Sequence, residues 1–424
     1  MASAKSSDQI GRLRDRFLRY VQVHTTSAEE SNRHPSTDCQ FDLARLLAGE
    51  LGAMGIEARV DEHAYVYAQI PENLPADHRA RGRVPAIGFI AHMDTSPDAP
   101  GEGVKPQIHH DYQGGDIVLP GDPEQVVRVA DTPELAELVG HDIITSDGTT
   151  LLGADDKAGV AVIMEAAERI LADRELLHGP LWIAFTPDEE IGRGVDKFDL
   201  EAFDARIAYT LDGKTRGLIE KETFNAHSAT FRLRGYNVHP GTAKDKMVNT
   251  LYAAAAILGR LPEDMRPETT EGREGYLHPR AISGGVDRCT IDLLVRDFDL
   301  GGSREKIALL KRIRDEVQAQ FPKTTIELEV KERYLNMRPK IEENPRIVEI
   351  AMEACRRLGV EPQLHAIRGG TDGARLSYMG VLTPNIFTGG TNYHSVREWV
   401  SLQVMEEVVG VVREIAALWV EEAS

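Results

Sequence analysis

An α/β domain with a mostly parallel mixed sheet flanked by helices, interrupted by a smaller α+β domain, is the fold the sequence predicts. Three observations carry it. Apolar runs of strand length at 84–91 (VPAIGFIA) and 181–185 (LWIAF) are separated by a helical pattern at 155–171, and such alternation marks a parallel sheet wrapped by helices. From about Phe224 the order becomes strand, helix, strand, helix, strand, before helical patterns resume near Pro345. The chain has 424 residues, enough for more than one domain at roughly 150 residues each. The predicted boundaries are 1–221 with 337–424 for the main domain and 222–336 for the insert.

The elements follow in order. Ile10, Leu13, Phe17 and Val21 recur at helical spacing with Arg and Asp between them, so the chain opens with an amphipathic helix. A second runs over 41–54 and stops at Gly55. Within the insert the spacing predicts strands at 229–233, 289–295 and 325–330 and helices at 248–261 and 305–321. A helix over 404–419 closes the chain.

Composition narrows the function. With 49 basic and 68 acidic side chains the net charge is −19, and no basic block offers a surface for nucleic acid or an anionic membrane. Three distant cysteines, Cys39, Cys289 and Cys355, make neither a disulfide framework nor a thiolate metal site. The N-terminus has no apolar run of the kind that directs secretion, and no stretch is long enough to span a bilayer. The expectation is a cytoplasmic protein in a reducing compartment.

Five places put acidic or histidine side chains after apolar segments, where open α/β sheets bind ligands. They are His92 with Asp94, Asp155 with Asp156, Glu189 with Glu190, Asp212 before Gly213, and His394. Each has a plain reading alone: a loop histidine, a helix cap, an acidic turn, an Asp-Gly turn. Together they form a nitrogen and oxygen donor set suited to zinc, manganese or cobalt. Three carboxylates and one hydroxide balance two divalent ions, and a neutral cluster can be buried without a large desolvation penalty.

The motifs HMDT, GADDKAG, TPDEE, NVHPGTAK, RGGTDGA and NYH stand in order along nearly the whole chain. With them the sequence resembles the co-catalytic di-zinc metallopeptidases. The resemblance implies a di-zinc exopeptidase-type catalytic domain with an inserted lid or dimerisation-type domain, and two zinc ions per subunit, with cobalt or manganese as substitutes. It implies that His92 and Asp212 hold one ion, Glu190 and His394 the other, and that Asp155 bridges both. Glu189 would be the general base and Asp94 would orient His92. His239 would stabilise the oxyanion, and Arg296 and Arg368 would clamp the substrate's C-terminal carboxylate. The implied partners are short peptides, chiefly tripeptides cleaved from the N-terminus, and a homodimer is compatible with the pattern. A dipeptidase or an N-acyl amino acid amidohydrolase is the sister alternative. A non-catalytic binding protein is the distant one, and its signature would be a missing ligand. Lys214, Thr215 and Arg216 after Asp212, and Thr391 before His394, depart from the pattern and bear on specificity.

Overall fold

The computed structural model describes residues 2–424, with side chains from Asp8 onward. The chain divides into two compact units, one of 1–221, 339–365 and 371–424, the other of 222–338 with 366–370.

The first unit is built on an eight-stranded sheet. Its order is Ala58–Val60, Val66–Ile70, Leu181–Thr186, Ile87–His92, Ile207–Gly213, Asn385–Phe387, Leu218–Thr223 and Gln363–Ile367. The four middle strands, from Leu181–Thr186 to Asn385–Phe387, run parallel. Ile87–His92 is buried at every position, as a strand covered on both faces must be. The helix Ala154–Ala172 lies on it and is itself packed by Leu402–Ala423 and Ala2–Val21. Being covered by helices and sheet together, Ala154–Ala172 is buried nearly all round, with Val160, Ala161, Val162, Ile163 and Met164 packed and the buried Glu165 and Arg169 paired with each other. An aromatic cluster of Tyr65, Tyr67, Phe198 and Phe203 forms a further core. A smaller sheet, ordered Gly390–Thr391, Trp399–Ser401, Ile143–Thr145 and Gln107–His109, joins distant loops.

The second unit is a four-stranded antiparallel sheet ordered Tyr276–Gly284, Arg288–Asp297, Asn225–Arg234 and Thr325–Tyr334. The helices Thr250–Leu258 and Leu300–Gln320 supply Ile257, Leu310, Ile313 and Val317 to its core, beside Phe231, Ile291 and Leu293 of the sheet. Burial alternates along Arg288–Asp297, the period-two signature of a sheet with one covered face.

Two local expectations are corrected. The Asp212-Gly213 pair is not a turn: the strand continues through Gly213. A Cβ there would lie 2.8 Å from the backbone of Ile386, so the glycine serves close strand approach. The helical pattern at 155–171 begins irregularly, because Asp155 and Asp156 have non-helical backbone angles. No helix among the described residues is long and apolar enough to cross a membrane, and the three cysteines are free.

Candidate metal centre

Parallel pairing puts His92 opposite Thr186. The segment after His92 and the TPDEE segment after Thr186 therefore leave the sheet side by side, at the carboxyl ends of neighbouring strands. Ile207–Gly213 on the other side of Ile87–His92 delivers Asp212 to the same edge.

These strand ends and two loops bring five side chains together. His92 Nε2 lies 2.9 Å from Asp155 Oδ1 and 3.7 Å from Asp212 Oδ1. His394 Nε2 lies 2.8 Å from Glu190 Oε2 and 3.5 Å from Asp155 Oδ2. Each triad, His92–Asp155–Asp212 and Asp155–Glu190–His394, offers ligand atoms within 4.8 Å of one another. Asp155 belongs to both and turns one oxygen to each.

The surroundings fix how these groups are presented. His92 Nδ1 is 3.0 Å from the carbonyl oxygen of Asp94, so Nδ1–H donates there and Nε2 faces the carboxylates. Burial opposes the charge, yet bonds to Asp155, Asp212 and Asp94 keep the metal-free imidazole protonated well above its usual range. Loss of the Nε2 proton would free that lone pair for an ion. The Asp94 carboxylate, itself 3.4 Å from His92 Nδ1, accepts the backbone N–H groups of Glu189 at 2.9 Å and Glu190 at 3.2 Å. Asp94 thus holds the acidic turn as well as the histidine. Asp188 occupies the left-handed region at φ 57°, which aspartate tolerates better than most residues. Its buried carboxylate accepts Ser36 N–H and Gln40 Nε2, each at 2.7 Å, and the Ser36 hydroxyl.

Burial of so many charges has a clear electrostatic result. Burial, reinforced by Asp155, pushes Asp212 up to about 7 and Glu190 up to about 8. Burial also lifts Glu189 well above the carboxylate range, with the charges of Asp212, Asp372 and Glu190 adding to it. For His394 burial works against the charge, yet bonds to Asp155 and Glu190 outweigh it and raise the imidazole to about 11. A buried group of this kind must hold extra protons or bind cations. The donor set is nitrogen and oxygen with no thiolate, and it fits a pair of divalent ions.

The remaining expected site residues lie in the second unit. His239 is exposed, and its Nδ1 accepts Gly241 N–H at 3.1 Å, which leaves the ring N–H on Nε2 as a donor. Arg296 gives one guanidinium nitrogen to the carbonyls of His227 and Val295. Arg368 is engaged more fully: its two terminal nitrogens donate to the carbonyls of Gly272, Glu274 and Thr270 and to the Thr270 hydroxyl.

Some supporting groups escaped the sequence reading. Asp156, though inside GADDKAG, was assigned no task; its carboxylate accepts the backbone N–H groups of His92 and Gly159. Asp372 of RGGTDGA accepts the Thr186 hydroxyl at 2.7 Å. Asp98 lies 3.1 Å from His394 Nδ1, and Glu398 sits behind the Asp155 loop. The first two could have been found as unassigned acids within motifs, whereas Asp98 and Glu398 carry no local signal.

Comparison with known proteins agrees with the geometry. The family described as peptidase family M20/M25/M40 matches residues 146–418. Peptidase T of Caldanaerobacter subterraneus is 48% identical over 406 residues, covering 96% of this chain and 98% of the relative. Among solved structures, aminopeptidase PepT from Bacillus cereus superposes with a TM-score of 0.73 at 23% identity, covering 97% of this chain and 99% of that one. A tripeptidase from Staphylococcus aureus gives 0.75 at 21%, with 97% and 99% covered. A Bacillus subtilis protein described as a dinuclear metal binding peptidase from the M20 family gives 0.65 at 16%, with 98% and 99% covered. At these identities the superpositions speak for the fold. The chain is an enzyme, a metallopeptidase. It belongs to peptidase family M20/M25/M40, and the relatives that match it over nearly its whole length include peptidases T.

Proposed function

We propose that this chain is a two-metal aminopeptidase that releases the N-terminal residue of tripeptides. The observation that carries it is Asp155 presenting one oxygen to each of two His-and-carboxylate triads, with Glu189 buried within reach of the charges of His92, Asp212 and Glu190. His92 and Asp212 would hold one ion, Glu190 and His394 the other, and Asp155 would be shared. Zinc is the ion we assign, with cobalt and manganese as substitutes that the same donor set accepts in similar geometry. When bound, two such ions supply a Lewis acid for the scissile carbonyl and lower the pKa of water.

The protein's own groups do the rest. Glu189, already raised by burial, takes the proton of the attacking water and passes it to the leaving amine. Asp94 orients His92 through the carbonyl bond at Nδ1 and fixes the backbone of Glu189. His239 keeps a ring N–H to donate to a developing oxyanion. Arg296 retains Nε and Nη2 for the peptide carboxylate, whereas Arg368 would have to release backbone carbonyls first. A closing role for the second unit, and a homodimer, belong to the same reading, and sedimentation of the full chain tests the latter.

The family membership and the peptidase T relatives support tripeptides as substrates. The test is hydrolysis of trialanine beside dialanine, tetra-alanine and N-acetyl-trialanine, with metal-loaded wild type and Glu189→Ala in parallel. Cleavage of the free tripeptide alone, lost in the variant with metal retained, is the expected result. Preference for the dipeptide or the acetylated substrate would move the chain to a sister activity.

A further inference from the structure

Four residues after His394 comes Glu398, 1% exposed and outside every motif. Its carboxylate spans the start of the helix Ala154–Ala172. One oxygen accepts Leu152 N–H at 2.9 Å and Gly153 N–H at 2.7 Å, and the other accepts Asp155 N–H at 2.8 Å. The first N–H groups of a helix have no partner within it. Here the backbone of Asp155 and Asp156 is non-helical, and the residue before the helix is Gly153, which has no side chain to cap it. A carboxylate from a distant part of the chain takes that place.

The small sheet explains how it arrives there. Glu398 immediately precedes the strand Trp399–Ser401, which pairs on one side with Gly390–Thr391 and on the other with Ile143–Thr145. The first neighbour leads into His394 and the second into the Asp155 loop. The Ser146 hydroxyl adds a tie, donating to the carbonyl of Thr150 at 2.6 Å and lying 3.3 Å from that of Val396. Both arms that bring ligands from outside the main sheet therefore meet at one carboxylate.

We infer that Glu398 is a positioning residue for the metal centre: by bonding the backbone of Asp155 it aims the shared carboxylate at both triads. The inference rests on the two-metal reading above. A glutamine at this position keeps the shape but turns an NH2 group toward one of the N–H donors, so the loop must shift. Because Asp155 serves both triads, the two ions should weaken together. A change in a partner of a metal ligand commonly lowers affinity on the order of 10–100-fold.

The experiment compares wild type, Glu398→Gln and Glu398→Asp. Each is stripped of metal, titrated with Co2+ under visible absorption, and counted for ions per chain. Thermal unfolding of the metal-free forms is recorded alongside. In the wild type two Co2+ should bind. In Glu398→Gln both should bind on the order of 10–100-fold more weakly with an altered spectrum, and Glu398→Asp should lie between. If Glu398→Gln binds both ions with wild-type affinity and spectrum while only its unfolding temperature falls, the role is structural and the inference is overturned. Weakening of one ion alone would also overturn it, since the action would not pass through Asp155. Should Glu398→Gln fail to fold, Glu398→Asp decides by the same criteria. A wild type that takes fewer than two ions would instead refute the two-metal reading itself.

Discussion

The two triads of the proposed metal centre are built differently. The His92 half is part of the core: His92 ends a buried strand, its side chain is 2% exposed, and its outer nitrogen donates to a backbone carbonyl. The His394 half is assembled from loops. His394 has a positive φ of 62°, its side chain is 40% exposed, and its outer nitrogen meets Asp98, whose side chain is 68% exposed. One half is held by sheet hydrogen bonds that form with the fold. The other depends on side chains that solvent and salt can reach. The lesson is that two similar triads need not hold their ions equally, and the His92 triad should fill first.

The comparison breaks most severely if the shared residue is lost. Asp155→Asn should abolish the distinction, with both ions weakened and peptide hydrolysis falling by more than the roughly 10–100-fold that follows a change in a residue behind a ligand. Metal counting and initial rates check it, and survival of one tightly held ion would show that Asp155 is not shared. Glu189→Gln should leave both halves filled and lower kcat by about 10²–10⁴-fold; loss of an ion in this variant would assign Glu189 to binding instead.

Asp98→Asn sharpens the contrast directly. It should weaken only the later-filling ion, by about tenfold, leaving the first unchanged in a two-step Co2+ titration. A smaller contrast lies between the arginines of the second unit. Arg296→Ala should raise KM with kcat nearly kept, since it removes binding shared by ground and transition states. Arg368→Ala should chiefly lower stability, by about 1–2 kcal/mol for its lost bonds. An Arg368→Ala enzyme with wild-type unfolding and a raised KM would reverse that assignment.

The smallest effect is on pH dependence without metal. Asp212 at about 7, Glu190 at about 8 and His394 at about 11 are all raised. Between pH 5 and 8 these three groups bind more protons in the folded, metal-free chain than in the unfolded one, and the stability they contribute falls as pH rises. Burial of His34, His109, His141, His178 and His227, and of Lys157, lowered to about 7, opposes part of that fall. Asp155 is lowered, but its opposite contribution is confined to more acidic solution. Melting temperatures of chelator-treated protein should decline across this range, and saturating metal, which replaces the protons, should flatten the trend. A rising melting temperature in the metal-free protein would contradict it.

Much of the fold could be read from patterns. The apolar runs at 84–91 and 181–185 became the strands Ile87–His92 and Leu181–Thr186, because a continuous apolar run of about five to eight residues bounded by polar segments has few other outcomes between helices. The closing helix spans Leu402–Ala423 around the predicted 404–419. Short or bridging strands were missed, among them Ile143–Thr145 and Trp399–Ser401, since three residues carry no period. The Asp-Gly turn failed for a related reason: the local preference of the pair yielded to parallel pairing with Asn385–Phe387.

The sequence by itself determined the chemistry on offer: five nitrogen and oxygen donors, an extra carboxylate beside one of them, no thiolates, and strands to carry the acids to one edge. These are properties of residue types and of their order, and they survive without coordinates. The tertiary structure turns one oxygen of Asp155, the bridge the resemblance implies, toward each triad. It alone decided which turns are held by Asp94 and Asp188, and that Glu398 reaches the backbone of Asp155 across more than two hundred residues of chain. Such bonds depend on register and loop closure, where one residue of slip exchanges the faces of a strand, and no local pattern encodes them.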